Sequence, residues 1–371
     1  MIIKTLTCHD VYNLGASLQA YALSKYLTDL GHDVEIIDYK PDYLSGHFRL
    51  TGVSNPKYDK PIIRIVYQML KFPKRFIALH GKRKKAFDSF KKEYLPVGKT
   101  RYNSEQELEN NPPMADLYIA GSDQIWNTLF KNGNDPAFYL QFVPPTKVKA
   151  SYAASFATDK LYGEKTEQIR RWLFGLDHIS VRERSGLVIL RDLGIKEAAC
   201  VLDPVFLLSK KEWEKMCVPA TDDDYLFVYD FDKNNQIKDF AYRIAKQQGY
   251  KIFTLQNLGY GDRCYNQVGP KEFISLIMNA RCIISNSFHA TAFSIIFGKD
   301  FWVFNRHENI NTRMLDLVNS LELGTRIVGN LSNRIDEKRI DYSKVNRLLS
   351  ENISLSKDYL DSVMSEVVCN D

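Results

Sequence analysis

Residues 281–298 read RCIISNSFHATAFSIIFG. A short apolar run ends in Ser-Asn-Ser and a pattern with helical spacing begins at once, so the stretch predicts a strand, a polar turn and a helix. Asn286 or Ser287 can cap this helix. His289 falls in its first turn, where unpaired backbone N–H groups and the helix dipole favour an anion. The stretch therefore predicts an anion site with a histidine able to bind the anion or to move a proton.

The same alternation of strand and helix extends through most of the chain. With 371 residues, the chain is long enough for two domains. Apolar runs predict strands at residues 2–7, 34–38, 116–120, 148–155, 178–181 and 198–202, and a second series begins at 225–229 and ends at 301–304. We expect an α/β protein whose two parallel sheets face each other across a cleft. The predicted parts are residues 1–208, residues 209–345 and a helical tail at 346–371.

Residues 57–101 interrupt the α/β pattern. Between Lys71 and Lys92, basic residues alternate with apolar ones, and more apolar residues precede them. This pattern predicts a basic amphipathic helical insertion within the first domain. Two interpretations stay open: a solvated helix pair, or a surface at residues 60–95 that docks on an anionic membrane or on a lipid-linked substrate.

The composition argues against several classes of protein. A formal net charge of only +5 is too small to indicate nucleic-acid binding. The six cysteines include no CxxC pair, so neither a zinc ribbon nor a disulfide framework is expected. The chain has no GxGxxG, P-loop, HExxH or GxSxG motif, and we expect neither a metal nor a bound cofactor. The first residues are too quickly polar for a signal peptide and no apolar run approaches about 20 residues, so we expect a cytoplasmic protein.

Four polar loops follow predicted strands: His9–Gly15, Gly121–Asn127, Arg182–Ser185 and Ser285–His289. Because ligands of parallel sheets bind beyond the carboxyl ends of the strands, we expect these loops to meet in the cleft. Ordinary turn chemistry is the alternative explanation for each loop taken singly.

Two arginines stand where an anion could be bound. Arg182 follows a predicted strand, and Arg313 opens a helix after a polar loop. The planar guanidinium fork binds two oxygens of a carboxylate or phosphate at once. A surface ion pair is the ordinary alternative for both residues.

Together these stretches resemble the polysaccharide pyruvyltransferases. The matching segments, in the expected order, are Asn13–Leu23, Gly121–Asn127, Ser180–Glu183, Asp203-Pro204, Ser285–Ala290, and Asn311 with Arg313. The resemblance implies a GT-B-like fold of two Rossmann-like domains. It also implies phosphoenolpyruvate as donor and co-substrate, and a pyruvate ketal placed on a sugar of a cell-surface glycan.

The resemblance also implies roles for particular residues. The donor-binding arginine of the family corresponds to Arg182 and its histidine to His289. Many members have a basic residue where this chain has Ser287, and Arg313 can supply the missing charge. We expect His289, Arg182 and Asp123 to be catalytic, with Asp123 preferred as base over Asp10 or Glu183. The remaining expected contacts are Asn286, Ser287, Phe288 and Arg313 on the donor side and Asn13, Gly15, Ser122, Gln124 and Trp126, with Asp123, on the acceptor side.

The sequence is compatible with three functions. The first is a pyruvyltransferase that acts on a galactose-like hexose of a lipid-linked capsule or exopolysaccharide precursor, at the inner face of the cytoplasmic membrane. The second is a GT-B nucleotide-sugar glycosyltransferase, for which Glu308 is the candidate ligand of the donor ribose. The third is a non-catalytic glycan-binding protein that uses an aromatic-rich cleft.

Overall fold

The computed structural model describes residues 1–44, 61–219, 223–307, 311–329 and 338–369. Two parallel sheets, each with helices on its faces, account for most of these residues. The alternation of apolar runs and helical patterns in the sequence predicts this architecture, because parallel strands need helical crossovers between them.

The first half of the chain builds a five-stranded sheet, a small two-stranded sheet of β6 and β7, and their helices. In chain order its elements are β1 (Ile2–Leu6), α1 (Leu14–Asp29), β2 (Asp33–Tyr39), α2 (Pro61–His80), α3 (Lys82–Tyr94), β3 (Val97–Tyr102), α4 (Glu105–Asn110), β4 (Leu117–Ala120), β5 (Val148–Ser151), α5 (Thr166–Phe174), β6 (Ser180–Val181), α6 (Arg184–Asp192) and β7 (Ala199–Cys200).

The second half repeats the pattern and ends in a long helix. Its elements are α7 (Lys210–Met216), β8 (Tyr225–Tyr229), α8 (Asn235–Gln248), β9 (Lys251–Thr254), β10 (Arg263–Cys264), α9 (Pro270–Asn279), β11 (Cys282–Ser285), α10 (Phe288–Ile296), β12 (Asp300–Phe304), α11 (Thr312–Ser320), β13 (Ile327–Val328) and α12 (Tyr342–Cys369).

The strand order of the two sheets determines where the loops after β4 and β11 lie. The first sheet runs β3-β2-β1-β4-β5 and the second runs β10-β9-β8-β11-β12-β13, with all pairings parallel. In each sheet the order reverses between the first strand and the fourth, and the crevice at that switch point is the usual ligand position. The loop after β4, which contains Asp123, and the loop after β11, which leads to His289 in the first turn of α10, both begin at such a point.

The expected insertion differs in part from the observed structure. Helices α2 and α3 cover residues 61–94, residues 57–60 lie outside the described residues, and residues 97–101 belong to edge strand β3. The basic pattern ends where the chain must return to the sheet, since β3 pairs with β2. The helical part is therefore shorter than the predicted insertion.

Helix α3 is also more deeply packed than a solvated helix would be. Phe87 and Phe90 are buried in a core shared by both halves of the chain. In the same core, Trp213 meets Tyr21 of α1 and Phe293 of α10 edge-on, with ring centroids 5.6 and 4.9 Å apart. The two halves are thus held against each other by aromatic packing as well as by the chain connection.

The C-terminal helix returns to the first half. Leu360 and Val363 of α12 pack with Ile3 of β1, and the Tyr359 hydroxyl donates a hydrogen bond to the Ser151 carbonyl at 2.8 Å. The predicted tail is therefore one continuous helix whose inner face covers the first sheet. The domain limits at residues 208 and 345 stay predictions.

Within the described residues, no helix combines the length and the apolarity that a bilayer-spanning segment needs.

We expect Leu360→Ala to lower the free energy of unfolding by about 2–5 kcal/mol, because it leaves a cavity between α12 and the first sheet. Leu355 lies on the same helix but is 63% exposed, so Leu355→Ala is the matched control and should change it by less than about 0.5 kcal/mol. Urea unfolding of both variants measures the difference. Equal effects would contradict the observed packing of α12.

Candidate active site

A buried ion pair lies at the floor of the cleft. Arg182 follows β6 directly, and Asp203 follows β7 and caps a short 3-10 turn by accepting the Val205 N–H at 3.1 Å. Arg182 Nη1 donates to Asp203 Oδ2. Both side chains are almost fully enclosed, at 1% and 0% exposure. Burial alone would raise the pKa of the Asp203 carboxyl, but Arg182, together with His289 and the Val205 N–H, outweighs burial and holds the pKa far below its usual value.

Asp123 lies between the two arginines. Arg182 Nη2 and Arg313 Nη1 each lie 3.3 Å from the same oxygen, Asp123 Oδ1. Burial would raise the pKa of the Asp123 carboxyl, but the charges of Arg182 and Arg313 lower it below its usual value. Burial and the neighbouring Arg182 lower the pKa of Arg313 to about 10, which still leaves it charged at neutral pH. The two guanidinium groups predicted as donor ligands therefore converge on one anionic point.

Phe288 fixes the arginines from one side. The guanidinium carbon of Arg182 lies 4.5 Å from the centre of the Phe288 ring, and that of Arg313 lies 5.7 Å from it. Both distances are within the range of cation–π attraction. Phe288 thus orients the cations, and its backbone belongs to the first turn of α10.

His289 reaches across the cleft from the second half. Its Nε2 lies 3.6 Å from Asp203 Oδ2 and has no hydrogen-bond partner among the described residues. Its other ring nitrogen packs against α1: a Cβ added at Gly15 would lie 1.9 Å from His289 Nδ1. Gly15 is therefore needed for the close approach of the imidazole rather than for a contact of its own. The first turns of α1 and α10 face each other here, and both are favourable to an anion.

Several buried polar atoms near this point lack a hydrogen-bond partner in the described part of the chain. They are Arg182 Nε, Glu183 Oε2, Ser185 Oγ, His289 Nε2, Thr312 Oγ1 and Arg313 Nε. Buried polar atoms are normally satisfied, so a group of orphans contributed by both halves indicates a place for a polar ligand. A cavity of about 210 Å³ adjoins the cluster and is lined by Arg182, Asp203 and Phe288 together with Asp316 and Leu317.

Of the two residues predicted to cap α10, Ser287 caps the helix and Asn286 does not. Ser287 caps α10, since its side chain accepts the Ala290 N–H at 3.4 Å. Asn286 instead accepts the Phe231 N–H at 3.0 Å and donates to Asp230 Oδ1 at 3.0 Å. Asn286 therefore holds the loop after β8 with both its amide oxygen and its amide nitrogen.

The residues expected on the acceptor side are found at different depths. Asn13 is exposed and caps α1 by accepting the Ala16 N–H at 3.2 Å. Gln124 is half-buried, and its side-chain oxygen accepts a hydrogen bond from Asn127 at 2.8 Å. Ser122 Oγ is fully buried, 2.8 Å from the Ala153 carbonyl and 3.3 Å from Asp203 Oδ2.

Trp126 corrects the expectation of a direct acceptor contact. Its side chain has no exposed surface, its Nε1 donates to the Phe138 carbonyl at 3.0 Å, and its ring stacks on Tyr139 at 5.5 Å. A ring enclosed in this way supports the loop that contains Asp123 from below. An aromatic residue in a polar loop does not reveal in sequence which way it points.

Two further residues of the site, Asp203 and Asp316, were given no role from the sequence. Asp203 stands in the matching Asp203-Pro204 pair directly after a strand, and that position was its only signal. Asp316 of α11 accepts the Arg184 N–H at 2.7 Å and so satisfies the start of α6 from the other half of the chain. This cap joins two elements more than a hundred residues apart, so no local pattern predicts it.

Among the described residues, no three His, Cys, Asp or Glu side chains converge as metal ligands would. The expectations of no metal and no bound cofactor stay predictions.

Comparison with protein families gives a match over most of the chain. Residues 13–308 match the model of the family described as polysaccharide pyruvyl transferase. This match confirms the resemblance that the short stretches indicate. A search of curated protein sequences found no match.

Solved structures show the same fold at low sequence identity. Arabidopsis thaliana UGT89C1 complexed with UDP-L-rhamnose is 10% identical, with a TM-score of 0.51, covering 99% of this chain and 98% of that chain. UDP-N-acetylglucosamine 2-epimerase from Rickettsia bellii is 14% identical, with a TM-score of 0.51, covering 99% of this chain and 96% of that chain. These likenesses concern the fold alone. They confirm the expected GT-B-like arrangement of two Rossmann-like domains.

We expect Gly15→Ala to destabilise the protein by about 1–3 kcal/mol, because the new methyl group overlaps the His289 imidazole. In a His289→Ala background the same change should be neutral or stabilising, since alanine is the better helix former by about 1 kcal/mol. A double-mutant cycle by denaturant unfolding measures this coupling. An identical cost of Gly15→Ala in both backgrounds would contradict the contact.

Proposed function

This chain belongs to the polysaccharide pyruvyl transferase family, and we propose that it moves the pyruvyl group of phosphoenolpyruvate onto two hydroxyls of a galactose-like hexose in a lipid-linked polysaccharide precursor. A pyruvate ketal forms and phosphate is released. The proposal rests chiefly on one observation: two buried arginines converge on a single anionic point beside His289 and the first turns of two helices.

The donor chemistry suits this cluster. Phosphoenolpyruvate is compact and carries a carboxylate and a phosphate, so its recognition needs concentrated positive charge more than a large pocket. Arg182 and Arg313 would bind its oxygens through their guanidinium forks. The first turn of α10, which begins at Phe288 after the cap Ser287, adds backbone N–H donors. Arg313 supplies the charge that Ser287 lacks.

The reaction needs defined proton transfers. The two hydroxyls of the acceptor lose one proton each; one proton ends on C3 of the donor, which becomes a methyl group, and the other leaves on phosphate. We assign to His289 the transfer to C3, which makes C2 electrophilic so that the first hydroxyl oxygen bonds to it. The bond from C2 to the phosphate oxygen then breaks, its electron pair leaves with phosphate, and the second hydroxyl closes the ring. Proton transfer of this kind contributes about 10²–10⁴ to a rate.

Asp123 remains the preferred base for the acceptor hydroxyl. Asp10 is bound to Lys40 and Lys91, with N–O distances of 2.5 and 2.9 Å. Glu183 has no exposed surface, and burial raises the pKa of its carboxyl. Asp123 keeps part of its side chain exposed and lies on the loop whose neighbours Asn13 and Gln124 would face the sugar.

A second candidate is a nucleotide-sugar glycosyltransferase. It is favoured by the likeness of the fold to a protein whose name includes a complex with UDP-L-rhamnose. Its candidate ribose ligand, Glu308, lies outside the described residues. Thermal shift with phosphoenolpyruvate against UDP-sugars separates the two candidates. A glycan-binding protein without catalysis would release no phosphate from phosphoenolpyruvate.

Helix α2 supports peripheral contact with a membrane. Its apolar residues recur in the sequence at the spacing of one helix face. Among the side chains of α2 that the structure describes, the exposed apolar ones are Ile65, Val66, Met69, Leu70, Phe72 and Phe76. Lys71, Lys82 and Lys85 are exposed on α2 and the neighbouring α3. An apolar face flanked by cations suits the surface of an anionic bilayer, where a lipid-linked acceptor would be presented.

We expect His289→Ala to lower ketal formation by about 10²–10⁴ while phosphoenolpyruvate still binds. Arg182→Ala should weaken the binding itself, whereas Arg191→Ala, which removes an exposed arginine of α6, should change neither. The measurement is phosphate release and the mass gain of one pyruvate less water on a panel of lipid-linked glycans. Near-normal transfer by His289→Ala or Arg182→Ala would remove the assignment.

We expect the protein to float with vesicles that contain phosphatidylglycerol but not with pure phosphatidylcholine. The paired substitution Met69→Glu and Leu70→Glu should abolish flotation, because it places two charges in the apolar face. Met114→Glu is the control, since Met114 is 85% exposed but lies outside α2 and α3. Flotation that the paired substitution leaves intact would count against membrane docking by α2.

A further inference from the structure

Asp123 is held in a position that its backbone does not favour. Its φ angle of 74° is in the left-handed region, which is uncommon for a residue with a side chain. Two backbone hydrogen bonds fix this conformation, because the Asp123 carbonyl accepts the N–H of Ile125 at 2.8 Å and of Ser155 at 3.0 Å. The strained backbone aims the carboxylate at the arginines.

The two arginines depend on this carboxylate to different degrees. Arg182 also has Asp203, which holds its other terminal nitrogen. For Arg313, Asp123 is the ion-pair partner that the described residues supply. A carboxylate or phosphate that binds between Arg182 and Arg313 must therefore compete with Asp123 Oδ1.

We propose that the Asp123 carboxylate is an internal substitute for one anionic group of the donor, so that donor binding displaces it and thereby releases the base that accepts the acceptor proton. This inference rests on the proposed function and adds an order to it: the donor binds first, and only then is Asp123 free to accept a proton from a hydroxyl. Until then Arg182 and Arg313 lower the pKa of the Asp123 carboxyl, so the carboxylate is a weaker base than it would be without them. A donor-free enzyme therefore does not activate its acceptor.

Binding of phosphoenolpyruvate to the full chain tests this directly by calorimetry. Asp123→Asn keeps the shape of the side chain but removes the competing charge, so the dissociation constant should fall about tenfold or more while ketal formation is lost. A purely structural role predicts the reverse, because disordered arginines would bind the donor more weakly. Asp29→Asn is the control: Asp29 is exposed at the end of α1 and pairs with Lys25, so its substitution should leave the dissociation constant unchanged.

A second variant covers the case in which Asp123→Asn fails to fold because Arg313 has lost the carboxylate that it pairs with. Combined with Arg313→Ala, the same substitution leaves fewer unbalanced charges, and the pair is compared with Arg313→Ala alone. Tighter binding in the double variant again supports displacement at Arg182. Unchanged or weaker binding in either comparison overturns the inference. Absence of any phosphoenolpyruvate binding by the unsubstituted protein would instead refute the proposed donor, which separates the two failures.

Discussion

The buried pair of Arg182 and Asp203 is the interaction on which the rest of the site depends. Arg182 directly follows the short strand β6, Asp203 lies three residues after the end of β7, and those strands pair with each other in parallel. Because both charges are enclosed, either one alone would carry a large desolvation penalty, and removal of one partner of such a pair typically costs about 3–5 kcal/mol. The pair therefore fixes a largely enclosed guanidinium group at the wall of the cavity, and His289 and Asp123 are arranged around it.

The cleft is assembled by contacts between halves more than by either half alone. His289 of α10 packs against Gly15 of α1, Asp316 of α11 satisfies the start of α6, and Arg313 of α11 reaches Asp123 after β4. Aromatic packing around Trp213 holds the two halves in this relation. A site made in this way combines anion-binding groups from two Rossmann-like domains, which suits a reaction in which a small donor meets a sugar between them.

Local sequence patterns predicted the structure correctly where a single strand or helix determines the position of a residue. Strand β11, a cap at Asn286 or Ser287 and the first-turn position of His289 all follow from a single stretch, because apolar runs, capping residues and helical spacing act over a few residues. The structure then shows that the cap is Ser287. Trp126 and Asn286 could be located on their loops but not oriented, since the direction of a side chain depends on neighbours that are distant in sequence. For the same reason, no local pattern showed that Gly15 makes room for His289. The extent of the basic segment was likewise misjudged, because whether residues 97–101 are solvated or paired is decided by β2.

By itself, then, the sequence determined the alternation of strands and helices through most of the chain, the α/β class of both halves and the identity of the arginines and histidine that could bind an anion. Tertiary structure alone decided that Arg182 and Arg313 share one carboxylate, that Asp203 holds the first of them, and that a glycine of α1 makes room for His289. The physical reason is one of range. Hydrophobic periodicity and helix capping are local properties of a chain, whereas burial, ion pairing and close packing depend on which distant residues the fold brings within a few ångströms.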